Sequence, residues 1–350
     1  MALHQTEDGS VVSDNGKVLF FSIERFIRDI CEGDCCFICG VNPSAAVFND
    51  EHVIPDWILR QFNLHSMEIT LPNRAGLTYS GYKVPCCEKC NLLMSDVFES
   101  PISKMVRQGY RAVADHLGQE GPWLFFKWLA LIYLKTHLKD RNLRLRLDLR
   151  EGDEKISDFY TWEELHHIHC IARSFYTGAH LDHTVLGSLV VLPAKIETVF
   201  GNFDYRDMYA GRTMLLRLGE VGIVSVLNDS CAALNILKGL LGKITGPLSS
   251  AQLKELMARM ALINLRLKER PVPASWLPDE DHYVITAQVP AKIVLDDADP
   301  NLFGKVLHWC CEDVIAALPP EERERVSSHI EKGTLSFLWD RDGKFINSTL

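Results

Sequence analysis

Two pairs of cysteines in the first third of the chain have the spacing of metal ligands. Two residues separate the thiols within each pair, and the four positions are Cys36, Cys39, Cys87 and Cys90. A CxxC turn can direct both of its thiolates at one tetrahedral zinc ion, and two such turns complete the four ligands of a structural site. The spacing therefore predicts one Zn²⁺ site that closes residues 36–90 into a small module.

Other interpretations of these cysteines are a redox-active CxxC and free buried thiols. A thioredoxin-like motif has a single CxxC near a βαβ unit, whereas this chain has two. Eleven cysteines in a chain of 350 residues, in which we expect no secretory signal, favour metal binding over disulfides. The remaining thiols of this region are interpreted as buried small side chains or as neighbours of the metal; they are Cys31, Cys35 and Cys86.

An acid and a histidine stand side by side between the cysteine pairs, at Glu51 and His52. A neutral imidazole can accept a proton from water near neutral pH. A carboxylate can ligate a hard divalent cation, and so can the amide oxygen of Asn91, which directly follows the last cysteine. An acid–histidine pair is common on ordinary protein surfaces, so its position between the cysteine pairs is what favours a hydrolytic site.

The order CxxC, (D/E)HxxP and CxxCN over residues 36–99 resembles that of the HNH endonucleases, a ββα-metal family whose zinc-stapled members have a treble-clef scaffold. The resemblance implies that His52 is the general base on the attacking water. It implies that Glu51 and Asn91 hold a catalytic Mg²⁺ or Mn²⁺ ion, while Zn²⁺ at the four cysteines is purely structural. It also implies hydrolysis of DNA and, by analogy alone, a role in defence against foreign DNA.

One position departs from the family pattern. The asparagine that orients the histidine usually lies a few residues before the second cysteine pair, and Tyr82 stands there in this chain. Asn73 is the nearest upstream candidate for that role, in a loop that is longer than the minimal motif needs. Three further acids are alternative ligands for the catalytic ion; they are Asp50, Asp96 and Glu99.

Short elements are expected to position these residues, because residues 36–99 are rich in Cys, Pro, Asn and Gly. The run after residue 91 is predicted to be helical, and residues 122–138 predict a long apolar helix that is buried. Strict alternation over residues 143–150 predicts a half-buried strand. Three histidines at positions 166, 167 and 169 lie in a predicted helix, where we interpret them as surface residues rather than as a second metal site.

The predicted fold class is α+β, with a small zinc-stapled ββα-metal (treble-clef) N-terminal module and a larger mixed α/β C-terminal domain. The predicted boundaries are residues 1–30 for an N-terminal lead-in, 31–105 for the HNH/zinc module, and 106–350 for an α+β domain to which no motif assigns a role.

The charge distribution restricts the partners of the chain. The formal net charge is −9, which excludes a general basic coat for nucleic acid. Residues 101–150 nevertheless carry ten Lys/Arg against four Asp/Glu, so this segment is either a local phosphate-binding track or a solvated helix end and strand. The predicted partner is nucleic acid, foremost DNA, and a homo-oligomer through the C-terminal domain is a further option. We expect no membrane partner and a cytoplasmic location, because the apolar residues 122–134 are too few to span a bilayer.

A second hypothesis belongs to a different class of protein. The cysteines would then staple a module that binds nucleic acid or protein without cleaving it, and the segment NDEHVIP would be only structural. The two hypotheses differ in one geometric expectation: in an enzyme, Glu51, His52 and Asn91 converge on a point that faces solvent.

Overall fold

The computed structural model describes residues 3–71, 73, 75–198, 201–277, 282–297, 299 and 301–347. The strands in that part of the chain are β1 (Leu3–Gln5), β2 (Val11–Ser13), β3 (Val18–Phe20), β4 (Phe48–His52), β5 (Glu68–Thr70), β6 (Gly76–Thr78), β7 (Lys83–Cys87), β8 (His180–Leu181), β9 (Leu189–Pro193), β10 (Phe203–Met208), β11 (Thr213–Leu218), β12 (Val221–Val226), β13 (Val272–Trp276) and β14 (Val284–Gln288). The helices are α1 (Ile23–Arg25), α2 (Asp56–Gln61), α3 (Glu88–Met94), α4 (Ser100–Arg107), α5 (Tyr110–Glu120), α6 (Trp123–Asp140), α7 (Glu163–Ala172), α8 (Ser174–Thr177), α9 (Ala232–Leu241), α10 (Ser250–Leu265), α11 (Leu302–Cys310), α12 (Glu312–Ala316) and α13 (Pro320–Glu331). The expected mixture of helices and strands is confirmed, with 44% of residues in helices and 20% in strands.

The chain folds into two compact units, and each is discontinuous in sequence. Unit 1 comprises Met1–Lys104, Trp123–Asp182 and Pro273–Thr286, and unit 2 comprises Met105–Pro122, His183–Val272 and Ala287–Leu350. The sequence suggested one boundary near residue 105, whereas the chain returns to unit 1 at Trp123. Helices α6 and α7 belong with the cysteine-rich segment because a module of that size has too little apolar surface to form a core alone.

Helix α6 is the central helix of unit 1. Most of its residues are buried, including Phe125, Leu129 and Leu134, which confirms the long buried helix predicted over 122–138. A helix that is apolar on all sides must be covered on all sides. Helix α7 and strand β7 provide part of that cover.

Strands β4 and β7 form a two-stranded antiparallel sheet in unit 1. Phe48 lies opposite Cys87 at one end of the pair, and His52 lies opposite Lys83 at the other. Strand β7 continues directly into α3, which packs on both strands. A π-helical turn, Ser95–Glu99, then joins α3 to α4. The order strand, strand and helix thus brings the acid–histidine strand next to the second cysteine pair.

Unit 2 is built on a four-stranded antiparallel sheet in the order β10-β11-β12-β9. Every residue of the central strands β11 and β12 is buried. The helices α9, α10, α11 and α13 share one apolar core with this sheet. Helix α10 begins after Ser249, whose hydroxyl accepts a hydrogen bond from the Gln252 amide in a capping box.

The prediction of a strand over residues 143–150 is wrong. Residue Arg144 forms an isolated bridge with Lys155, and Leu149–Glu151 form one turn of 3-10 helix. Leu147 and Leu149 are exposed, so the alternating pattern has no core to cover. A strand needs a neighbouring strand for its backbone hydrogen bonds, and alternation in the sequence does not supply one. Among the described residues, no helix is long and apolar enough to cross a membrane.

Candidate metal centre and active site

The four predicted cysteine ligands come together in unit 1. Their sulfur atoms all lie within 4.8 Å of one another, and the group consists of Cys36, Cys39, Cys87 and Cys90. The Cys39 and Cys87 sulfurs are 3.7 Å apart. A tetrahedral zinc ion with Zn–S bonds of about 2.3 Å spaces its sulfurs by roughly 3.8 Å, so the group fits one zinc ion. Within the described ranges, no other group of three or more His, Cys, Asp or Glu side chains is close enough to share an ion.

The first cysteine pair lies in a tight turn that aims both thiols the same way. Gly40 donates its backbone N–H to the Cys36 carbonyl and has a left-handed φ of +77°. Cys86 adjoins the cluster, with its sulfur 3.8 Å from that of Cys36. Hydrogen bonds from the neighbouring thiols lower the pKa of Cys36. Within the group a thiolate is therefore favoured at Cys36, and the hydrogen bonds with it raise the pKa values of Cys39 and Cys90.

Side chains at the C-terminal end of helix α7 donate hydrogen bonds to the backbone of the first cysteine turn. His169 Nε2 donates to the Phe37 carbonyl at 2.8 Å, and Arg173 Nε donates to the Ile38 carbonyl at 2.8 Å. His166 Nε2 donates to the Phe21 carbonyl at 2.7 Å. The interpretation of these histidines as surface residues is wrong, because His166 and His169 are buried. They bind backbone carbonyls instead of a second metal, and burial lowers the pKa of His169 well below its usual range.

Strand alternation sends the two members of the acid–histidine pair to opposite faces of the β4–β7 sheet. Glu51 points inward and is 6% exposed, whereas His52 remains partly exposed. The Glu51 carboxylate accepts a hydrogen bond from Lys135 Nζ at 2.6 Å. Lys135 lies on α6, is 2% exposed, and also donates to the His52 carbonyl at 2.7 Å.

Sequence reasoning missed Lys135, although a signal was present. A lysine inside an otherwise apolar helix, at a position that faces the core, must have a buried acceptor or a buried acid as its partner. The sequence contains that lysine in the segment IYLKTHL, residues 132–138. Its partner lies 84 residues away along the chain, so local pattern does not identify it.

A second carboxylate lies in the same electrostatic environment as Glu51. Burial raises the pKa of Glu99 to about 7, the positive charge of Lys135 opposes that rise, and the negative charge of Glu51 adds to it. Glu99, an alternative ligand predicted from the sequence, is partly exposed at the end of the π-helical turn, within the electrostatic influence of Lys135 and Glu51.

The partly exposed face of β4 holds a separate polar cluster around His52. Burial and the charge of Lys83 lower the pKa of His52, while Asp56 opposes that shift. Asp56, at the start of α2, binds His65 Nε2 at 2.9 Å and Arg60 Nε at 2.6 Å. The lowered pKa favours the neutral imidazole of His52 at neutral pH, and a general base requires that neutral form.

The two predicted asparagines are engaged elsewhere. Asn91 donates to Asn49 Oδ1 at 2.9 Å. Asn73 donates to the Arg144 carbonyl at 2.6 Å and accepts from the Ala75 amide at 2.8 Å. Neither contact involves His52, and the role of Asn73 in orienting His52 stays a prediction. Buried Tyr82, at the expected asparagine position, contributes its backbone carbonyl to the Val53 amide.

The Glu51 carboxylate does not fit the catalytic divalent ion that the resemblance implies. It already holds the Lys135 ammonium, whereas Asn91 contacts Asn49 through its Nδ2 and not through the amide oxygen that a metal would take. A divalent ion and an ammonium about 4 Å apart repel each other by roughly 8 kcal/mol at an effective dielectric constant of about 20. An ion at Glu51 would therefore require Lys135 to leave, and an ammonium that stays buried without its carboxylate is costly.

No protein-family model, curated protein or solved structure matches this chain. The family resemblance therefore rests on residues 36–99 alone, and the functional argument rests on the geometry of those residues.

Proposed function

We propose that the chain is an HNH-type endonuclease that hydrolyses phosphodiester bonds of DNA with His52 as its general base. The observation that supports this best is the position of His52. It ends strand β4, stays partly exposed, and lies on the strand pair that carries Cys87 of the metal centre. A zinc ion at the four cysteines would hold that strand pair against the following helix, as a structural staple.

The side chains around His52 suggest how the reaction would proceed. A lowered pKa keeps His52 neutral at neutral pH, so its imidazole can take a proton from the attacking water. Lys83 lies directly opposite His52 in the strand pair and offers a positive charge to a bound phosphate. Lys83 is thus placed to hold the phosphate next to the base.

The family resemblance also implies Mg²⁺ or Mn²⁺, which would neutralise charge on the scissile phosphate. Because the Glu51 carboxylate does not fit such an ion, His52 and Lys83 are the residues to which the proposal gives roles. Defence against foreign DNA remains an analogy with other proteins of this type.

The test compares zinc-loaded wild-type protein with His52→Ala on single-stranded and double-stranded DNA, with Mg²⁺ or Mn²⁺ present. Loss of a general base typically lowers the rate about 10²- to 10⁴-fold. The matched control is His180→Ala, an exposed histidine of unit 1 on β8, which should leave both cleavage and zinc content unchanged. Equal cleavage by His52→Ala and wild type would refute the role of His52.

A binding module without catalysis is the second candidate, and one observation favours it. Glu51 is occupied by Lys135, as expected if NDEHVIP only stabilises the fold. The same experiment separates the two candidates. The binding module would be favoured if the DNA stays uncleaved with every metal ion, the protein carries about one zinc per chain, and the protein slows the migration of DNA on a native gel.

A further inference from the structure

The Glu51 carboxylate is buried on the inner face of β4. Its side chain is 8% exposed, and that of Lys135 is 3% exposed. The distance between Lys135 Nζ and Glu51 Oε1 is 2.6 Å, at the short end for a charge-assisted hydrogen bond. Ligands of a catalytic Mg²⁺ normally face water, since that ion keeps several water molecules and takes substrate oxygens. The environment of Glu51 is the opposite of that.

Lys135 connects the two members of the acid–histidine pair. An ammonium has three N–H donors. One of them reaches the Glu51 carboxylate, and another reaches the His52 carbonyl at 2.7 Å. The contact with the carbonyl restrains the backbone from which the His52 imidazole projects. Since α6 is buried on nearly every side, Lys135 is itself held at a defined position.

We infer that the Lys135 ammonium binds the Glu51 carboxylate in place of the divalent metal ion that the HNH resemblance implies there. The Glu51–Lys135 pair then positions His52. Glu51 is then a positioning residue and not a metal ligand. The positioning role rests on the proposed function, whereas the identity of the cation at Glu51 does not.

The identity of the cation can be tested by Mn²⁺ binding to zinc-loaded protein, measured by electron paramagnetic resonance. The variants are Glu51→Gln and, as a control for the loss of one acidic charge, Glu24→Gln, which changes an exposed residue of α1. We expect Glu51→Gln to change the Mn²⁺ affinity less than twofold, or wild-type protein to bind no Mn²⁺ at all. A loss of tenfold or more in Glu51→Gln that keeps its zinc and its fold, and in the charge-free Glu51→Gln/Lys135→Met variant, but not in Glu24→Gln, would overturn the inference.

The positioning role needs a variant that folds. Lys135→Met alone leaves a buried carboxylate without a partner, so the paired variant Glu51→Gln/Lys135→Met, which removes both charges, is the primary test. We expect this variant to keep its zinc and its KM for DNA, while kcat falls tenfold or more. Unchanged kcat in a zinc-loaded, folded double variant would refute the positioning role.

The two failures are distinguishable. If wild-type protein does not cleave DNA under any metal condition, the proposed function fails, and the Mn²⁺ measurement still decides which cation Glu51 holds. If wild-type protein cleaves DNA and Glu51→Gln loses Mn²⁺ binding, the proposed function stands and the inference fails.

Discussion

Arg173 provides the sharpest test of how the metal centre is supported. Its side chain, at the end of α7, is 1% exposed. Its guanidinium donates to three backbone carbonyls, those of Ile38 at 2.8 Å, Val18 at 2.7 Å and Leu19 at 3.2 Å. Ile38 lies between the first two cysteine ligands. One side chain therefore ties the cysteine turn to strand β3.

The substitution Arg173→Met removes these hydrogen bonds and keeps much of the apolar volume. Each buried polar group left without a partner costs about 1 to 3 kcal/mol, so the three carbonyls cost roughly 3 to 9 kcal/mol. Part of this is offset, because the variant no longer buries a charge, which itself costs several kcal/mol. We expect a net loss of about 1 to 5 kcal/mol in the free energy of unfolding of unit 1, because the variant leaves carbonyls, and not a buried charge, without a partner.

Two measurements check this prediction. Urea unfolding of zinc-loaded protein gives the change in free energy, and competition with a zinc-binding dye gives the change in zinc affinity, which we expect to fall tenfold or more. The matched control is Arg28→Met, whose guanidinium is largely exposed beside Asp29 and should contribute less than about 1 kcal/mol. A loss below about 1 kcal/mol in Arg173→Met, with unchanged zinc affinity, would show that the three carbonyls are satisfied in some other way.

Three further predictions concern the metal centre and the charged groups near it. Cys87→Ser should lower the zinc content from about one ion per chain to well below one, measured by metal analysis, because three thiolates remain of four. The acid limb of the pH–rate profile for DNA cleavage should lie below the ordinary histidine pKa of about 6.5, since the pKa of His52 is lowered. Glu99→Gln should flatten the pH dependence of unfolding between about pH 4.5 and 7. Because the folded pKa of Glu99 is raised from 4.5 to about 7, its contribution to stability is greatest below pH 4.5 and is lost as the pH rises through 7, by about 3 kcal/mol at most.

Each of these predictions has its own control or contrary outcome. Cys231→Ser alters a thiol of unit 2 outside the cluster and should leave the zinc content unchanged. An acid limb that stays in place in a slow but active His52→Ala variant would assign the proton transfer to another group. A Glu99→Gln variant whose stability still falls between pH 4.5 and 7 as in wild type would mean that Glu99 does not carry the proton.

The sequence alone was sufficient where the deciding interactions are local. Two CxxC turns have a spacing that can direct thiols to a common point, and the structure brings those four sulfurs together. The apolar run at residues 122–138 is long and continuous, and it forms the buried helix α6. Neighbours within a few residues determine the helix and the aim of each cysteine pair, so both patterns can be recognised without the fold. The two pairs lie 48 residues apart at their nearest and meet only through the tertiary structure.

The tertiary structure decided what each member of the acid–histidine pair does. Strand alternation separates Glu51 from His52, but only the placement of α6 gives Glu51 its partner Lys135, 84 residues away. The alternating residues 143–150 have no strand beside them. The buried histidines of α7 bind carbonyls that are more than 130 residues distant in sequence. Charges and backbone groups are satisfied by whatever lies next to them in space, and a linear sequence does not specify which distant residue that is.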